Sequence, residues 1–327
     1  MRNLWLHITL FLVTLVTTTA AGALQAGADF LSDPREIVAG LPFALTLMSI
    51  LLVHEMGHYL TSRYYGVKAT LPYFIPGPSF VGTFGAFIKM QSQMPDRRSL
   101  FDIGAAGPVA GFVLAVPAVI VGFQLSSVVP QDSPSSGLVL GSSLLLNFLS
   151  KITLGILPEE ANIVLHPVGS AGWVGLFVTA MNLLPAGQLD GGHVTYALFG
   201  RRHIWVSRLT VFVILTLGVT RLWDGWLIWG ILLLFLGVRH PPPLDPDTPL
   251  DPKRKFMGWF LLAILAVTFI PVPISFHEPE PREERREPEA PETLQRTRGG
   301  EVFHERATEL APVFHDDHAS GGGALHL

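Results

Sequence analysis

Seven long apolar runs dominate the sequence and restrict the chain to a membrane fold. They cover residues 4–22, 37–60, 101–123, 165–184, 204–220, 225–238 and 256–275. Several of them reach the roughly 18 to 20 residues that cross a bilayer as a helix. Because every backbone amide in lipid needs a partner within the structure, and the runs show no two-residue alternation, helices are favoured over barrel strands. The sequence therefore predicts an all-α polytopic membrane protein with six or seven transmembrane helices.

Basic residues are unevenly distributed among the connections, and this distribution predicts an orientation. Lys and Arg collect in the cytoplasmic connections of membrane proteins. The basic positions beside the first run and in alternate connections are Arg2, Arg63, Lys68, Lys89, Arg97, Arg98, Arg201, Arg202, Lys253, Arg254 and Lys255. The connections 23–36 and 124–164 hold one basic residue each. We therefore expect a cytoplasmic N-terminus and a second span that crosses from outside to inside.

The two ends of the chain raise separate questions. The first run is either a membrane anchor or a cleaved signal peptide, and we favour the anchor because the run is longer than a typical signal core. From His277 onward the chain has 12 acidic and 6 basic residues with many Pro and Glu, which predicts disorder. The first 276 residues hold 14 acidic and 16 basic residues, so nothing indicates a nucleic-acid partner.

Two connections are too apolar to be free solvated loops. Residues 66–90 contain several Pro and Gly residues, which predicts one or two β-hairpins or a re-entrant segment at the membrane face. The connection at 124–164 includes an apolar stretch with Ser, Gly and one Lys. We expect an interfacial helix there, with a partly inserted helix as the alternative.

The stretch LLVHEMGHYL, residues 51–60, places three titratable side chains inside an apolar run. Residues four apart share one face of a helix, so His54 and His58 can bind one metal ion. Glu55 lies beside them, where it can act as a base towards a water molecule. Two packing His residues and an exposed Glu are the alternative, but ionisable residues within a span are costly and mark functional sites. The chain has no cysteine, so any further ligand is His or carboxylate.

A hydrolytic zinc site needs a third protein ligand, and the sequence favours Asp190. The motif H-E-x-x-H-x-x-G-x-x-H is excluded because Thr61 and Tyr64 occupy its last two required positions. Asp190 follows the run at 165–184, just past Pro185 and Gly187, which break the helix and turn the carboxylate inward. A helix-capping role for this carboxylate is the alternative.

Other polar residues are weaker candidates. His193 is the second choice as a ligand, and contact with a ligand is its favoured role. Asp96 and Asp102 lie in or beside a basic connection, where we expect solvated or capping side chains. The HDDH sequence at 315–318 lies in the predicted disordered tail and is expected to be a solvated polar patch.

The segments HEMGH, GTFGAFIKM and NLLPAGQLDGG occur in this order and resemble the site-2 protease family of intramembrane zinc metalloproteases. The resemblance covers more than half of the predicted folded part. It implies that His54, His58 and Asp190 bind one Zn²⁺ per chain. It further implies that Glu55 is the general base and that Asn182 assists the substrate or the oxyanion, with a packing hydrogen bond as the alternative for Asn182.

The resemblance also implies cleavage of a membrane-spanning protein within or near the bilayer. Such a substrate must unwind locally, and an exposed edge in the Val81–Met90 segment can hold it by strand addition. A purely structural hairpin is the alternative. The 124–164 connection is too short for the PDZ domain that many bacterial members carry, so the chain resembles the compact branch of the family.

We therefore expect a zinc-dependent intramembrane endopeptidase whose partners are a transmembrane protein substrate and the lipid bilayer. A metal-binding membrane protein or transporter that uses the same ligands without hydrolysis is the alternative. The expected location is a bacterial cell membrane, with the active site toward the cytoplasmic side. The expected regions are an N-terminal anchor with an external loop at 1–36, a catalytic core at 37–200, C-terminal transmembrane helices at 201–275 and a disordered tail at 276–327.

Overall fold

The computed structural model describes residues 4–130, 137–155 and 161–277. Helices account for most of these residues, and short strands lie between them. The helices are α1 (Leu4–Gln25), α2 (Leu41–Tyr64), α3 (Arg97–Gln124), α4 (Leu144–Leu154), α5 (Pro167–Leu183), α6 (Asp190–Phe199), α7 (His203–Val219), α8 (Gly225–Leu236) and α9 (Pro252–Thr268). The strands are β1 (Tyr73–Pro76), β2 (Thr83–Phe87), β3 (Ser127–Pro130), β4 (Gly137–Leu140), β5 (Ala161–Val164) and β6 (Ile274–His277).

The described part of the chain contains four helical segments that are long and apolar enough to cross a membrane. They are Leu4–Gln25, Pro34–Tyr64, Arg97–Gln124 and Asp190–Val219. Helices α4 and α8 are apolar but shorter, and α5 and α9 have 17 residues each. The prediction of a mainly helical membrane protein is confirmed, whereas the number of spans stays a prediction.

Helix α3 packs between α2 and α5 and forms the centre of the main apolar core. The backbones approach closely where glycines face each other: a Cβ placed on Gly122 of α3 would lie 2.1 Å from the Cα of Gly169 in α5. Fully buried side chains such as Phe43 and Leu47 of α2 fill the remaining space. Small residues at such crossings allow helices to pack closely. Close packing matters in lipid because the hydrophobic effect does not drive helices together there.

The predicted hairpin between α2 and α3 is present as the antiparallel pair β1–β2, with Tyr73 opposite Phe87. Helix α1 lies along this hairpin and binds it through side chains. The Thr17 hydroxyl donates to the Gly82 carbonyl at 2.6 Å, and the Gln25 amide donates to the Phe80 carbonyl at 2.9 Å. The first apolar run is therefore part of the packed structure and holds the hairpin at one side.

The described residues also contain two further two-stranded sheets, which the sequence analysis did not predict. Strand β3 pairs with β5, and β4 pairs with β6, both antiparallel. These strands have four residues each, which is too short to show a reliable two-residue period. The apolar stretch in the 124–164 connection forms α4 as expected, and its interfacial location remains a prediction.

The helix formed by the final apolar run, residues 256–275, ends before the run does. Helix α9 stops at Thr268, and Pro271 and Pro273 separate it from β6. Because β6 pairs with β4, the first two residues of the predicted tail, Phe276 and His277, lie in a strand beside residues 137–140. Residues 278–327 lie outside the described residues, so the predicted disorder of the tail stays a prediction.

Candidate metal centre

Helices α2 and α6 bring together three side chains that could hold a metal ion, two of them buried and one partly buried. His54 and His58 are one turn apart on α2, and Asp190 is the first residue of α6. The two Asp190 oxygens lie 3.3 Å from the His54 and His58 Nε2 atoms, respectively, and the two Nε2 atoms are 3.2 Å apart. The predicted meeting of residues 54, 58 and 190 is therefore present in the structure.

The hydrogen bonds of His58 define which of its nitrogens is free. Its Nδ1 lies 2.7 Å from the Ile103 carbonyl oxygen, which can only accept, so Nδ1 carries the hydrogen. In the neutral ring, Nε2 then presents a lone pair towards Asp190 and His54. A carboxylate and two imidazole nitrogens that converge on one buried point attract positive charge, and donors of these types suit a divalent ion such as zinc.

Glu55 and Asn182 border the same site. Glu55 is 6% exposed and follows His54 on α2. The Asn182 Nδ2 atom, near the end of α5, is 3.3 Å from the His54 Nε2 atom. Asn182 therefore contacts a residue of the group of three, and Glu55 is buried beside His54 on the same helix.

The position of Asp190 follows from the break between α5 and α6. Helix α5 ends at Leu183, before Pro185, and Gly187 has a positive φ of 54°, which glycine adopts without strain. The chain turns there and starts α6 at Asp190. No side chain caps this helix at Leu189, so the capping role considered for Asp190 is not seen.

Glycines of α3 leave room for the two His rings, a role that was not predicted from the sequence. A Cβ on Gly107 would lie 2.1 Å from the His58 Nε2 atom, and a Cβ on Gly111 would lie 3.0 Å from the His54 Nδ1 atom. The signal was present, because these glycines are four residues apart on one face of an apolar helix. Ile103 on the same helix orients His58 through its carbonyl group.

The weaker candidates lie outside the group of three donors. His193 bonds through Nδ1 to the Leu189 carbonyl oxygen at 2.9 Å. Asp96 caps α3 in a capping box with Ser99, as predicted. For Asp102 the expectation was wrong: its carboxylate accepts two hydrogen bonds from Arg254 of α9, a partner 152 residues away that local sequence does not reveal. The HDDH sequence lies outside the described residues.

Comparisons with known proteins agree with this site. The sequence profile of Peptidase family M50 matches residues 42–220. "Probable zinc metalloprotease EGY1, chloroplastic" from Arabidopsis thaliana is 37% identical over 72% of this chain and 43% of its own length. The rice protein of the same name (Oryza sativa subsp. japonica) is 35% identical over 83% of this chain and 51% of its own length.

"Probable zinc metalloprotease EGY2, chloroplastic" from Arabidopsis thaliana is 32% identical over 81% of this chain and 48% of its own length. The chain thus spans about half the length of the curated relatives it matches. The matched family region includes the HEMGH, GTFGAFIKM and NLLPAGQLDGG segments and the three converging side chains. The chain therefore belongs to Peptidase family M50, the site-2 protease family that its motifs resemble.

Proposed function

We propose that the protein is a zinc-dependent intramembrane endopeptidase that hydrolyses peptide bonds of membrane-spanning proteins. Membership of Peptidase family M50 and the names of the relatives support a zinc metalloprotease. The observation that carries the proposal is the contact of His54, His58 and Asp190 within apolar helices, since a chain gains little by burying these groups without a metal to bind.

Each polar side chain of the site has a distinct proposed task. His54, His58 and Asp190 hold the ion. When bound, zinc supplies Lewis-acid chemistry that activates water and polarises a carbonyl group. Glu55 accepts the proton of the attacking water on its carboxylate and later passes it to the leaving amine. The Asn182 amide donates a hydrogen bond to the substrate carbonyl oxygen.

The hairpin offers a place for the unwound substrate. A two-stranded sheet leaves one edge of each strand unpaired, and α1 covers part of the hairpin. Helix α2, which carries the proposed base Glu55, packs against β2. We propose that a substrate strand pairs with the unpaired edge of β2, so that the scissile bond of the substrate lies next to Glu55.

The proposed membrane arrangement has seven spans, with the active site toward the cytoplasmic side. Because β4 pairs with β6, residues 140 and 274 lie on the same side of the membrane in this arrangement. The chain between them must then cross the membrane an even number of times. Helices α5 and α9 supply two crossings and the α7–α8 hairpin supplies two more. The relatives bear chloroplastic names, so they lend no support to a bacterial membrane as the location.

Substitution of the proposed base tests the function against the alternative of metal binding without hydrolysis. The full chain, purified in detergent, is incubated with transmembrane peptides with and without a zinc chelator. We expect chelator-sensitive fragments from the wild type and a cleavage rate at least about 100-fold lower for Glu55→Gln, which retains zinc. The control is Glu36→Gln, an exposed glutamate outside the site. Metal transport without fragments would contradict the proposal.

A further inference from the structure

A cluster of aromatic rings connects α6, the helix that begins at Asp190, with α7 and with the connection between α8 and α9. It consists of His193 and Tyr196 of α6, His203 at the start of α7, and His240 from the connection between α8 and α9. The His193 and His240 rings meet edge to face with centroids 4.6 Å apart, and Tyr196 lies 4.8 Å from His203 and 5.1 Å from His240. Tyr196, His203 and His240 are buried.

Hydrogen bonds orient the three His rings of this cluster. The Nδ1 atoms of His193, His203 and His240 lie 2.6–2.9 Å from carbonyl oxygens, so each Nδ1 carries a hydrogen. The His203 Nε2 atom accepts from the His240 main-chain N–H at 3.2 Å. Burial lowers the pKa of His240 to about 3, which keeps that ring uncharged. Among the described residues only the group of His54, His58 and Asp190 gathers three metal donors, so this cluster is no second metal centre.

His240 belongs to a strap, residues 237–245, that joins separate parts of the molecule. Its three consecutive prolines stiffen the backbone. The Leu244 N–H donates to the Met94 carbonyl at 3.0 Å, which fastens the strap to the segment before α3. At its other end the strap touches the turn before Asp190, since a Cβ on Gly187 would lie 2.3 Å from the Gly237 carbonyl oxygen.

The turn and helix that carry Asp190 need such external support. Helix α6 has only ten residues, and its first turn has main-chain N–H groups without partners inside the helix. Asp190 sits in this first turn, after a glycine with positive φ. A metal ligand must nevertheless be held to within about 0.5 Å of its productive position.

We propose that His240 is a positioning residue, which packs on His193 one turn beyond Asp190 and thereby holds the Asp190 carboxylate against His54 and His58. The inference rests on the proposed function in one respect, namely that Asp190 is a metal ligand. The proline-stiffened strap holds His240 in place, and the contact between His240 and His193 in turn holds α6 in place.

The zinc dissociation constant of the purified full chain tests this role independently of cleavage. We expect His240→Ala to raise it about tenfold, the lower end of the effect of contacts that orient ligands. We also expect added zinc to restore the cleavage rate of this variant. The matched control is His7→Ala, because His7 is also buried and bonded to a carbonyl oxygen, that of Pro72 at 2.9 Å, but lies on α1. Its zinc dissociation constant should equal that of the wild type.

Two further variants keep the test decisive if His240→Ala folds poorly. His240→Phe keeps a ring against His193 and loses the Nδ1 donor, whereas His240→Asn keeps a donor and loses the ring. The inference predicts tighter zinc binding by His240→Phe than by His240→Asn. Equal affinities, or a wild-type affinity in folded His240→Ala, would overturn it and leave the proposed protease activity untouched. A wild type that binds zinc but cleaves no peptide would instead overturn the proposed function.

Discussion

Two clusters of polar side chains connect α2 and α3 to later parts of the chain, and they differ in the source of positive charge. In the first, Arg254 of α9 donates to Asp102 at 2.6 and 2.8 Å and also bonds to Asp251. In the second, two buried imidazoles face Asp190, and no side chain in the described contacts supplies a permanent cation. The first cluster is complete within the protein, whereas we propose that a metal ion completes the second.

Burial strengthens this contrast. The side chains of Arg254 and Asp102 are 29% and 24% exposed, so water shares in stabilising their charges. Those of His54 and His58 are 5% and 8% exposed, and that of Asp190 is 18% exposed. Leaving a charge without a partner costs more where water is excluded. The difference between the clusters suggests that one serves stability and the other serves chemistry, and substitutions on each side can separate the two roles.

The largest effect on zinc binding among substitutions outside the ligands is expected for Gly107→Ala. Its Cβ would lie 2.1 Å from the His58 Nε2 atom, so the ring must move away from Asp190. We expect the zinc dissociation constant to rise at least about tenfold. Gly111→Ala is the graded control, since its Cβ would meet His54 Nδ1 at 3.0 Å and should have a smaller effect. Wild-type zinc affinity in Gly107→Ala would contradict the described geometry.

Arg254→Gln should show the opposite pattern, with a loss of stability and unchanged zinc binding. It leaves Asp102 without its charged partner, which we expect to cost about 1–3 kcal/mol of folding free energy, measured by thermal unfolding in detergent. The control is Arg63→Gln, because Arg63 is exposed and donates to Tyr59 at 3.0 Å, and we expect a change within about 0.5 kcal/mol. If Arg254→Gln released zinc, the separation of the two clusters would be wrong.

The smallest effect is expected for Asp251→Asn, and it should depend on pH. Hydrogen bonds from Arg254 lower the pKa of Asp251, so the ionised carboxylate stabilises the fold above its ordinary pKa of about 3.9. This contribution is lost as the pH falls through the lowered value. Asn still caps α9, which isolates the charge. Unfolding midpoints of the two proteins should therefore differ at neutral pH and converge in acid, and a constant difference would speak against the ion pair.

The sequence made the metal site predictable because its information is local. His54 and His58 repeat at the helical period, and Pro185 with Gly187 announces the turn that carries Asp190. In a run of apolar residues such groups stand out, since lipid makes them costly. The order of the two motifs was then sufficient to indicate the family, and the helical membrane fold followed from the length of the runs.

The parts that escaped prediction depend on contacts between distant segments. The Arg254–Asp102 pair joins residues 152 positions apart, and the His240–His193 contact also joins two separate elements. Strands β4 and β6 pair although most of the C-terminal half separates them in sequence. Neither strand has enough residues to show a two-residue period. Such pairings are set by tertiary packing, which one sequence does not reveal.

Metal analysis of the purified chain tests the central claim that Asp190 shares one ion with His54 and His58. Zinc per chain is measured for the wild type, His54→Ala and Asp190→Ala, with Arg254→Gln as the control for folding. We predict about one zinc per chain in the wild type and in the control, and little in the two ligand variants. Full zinc occupancy in folded Asp190→Ala would contradict the account.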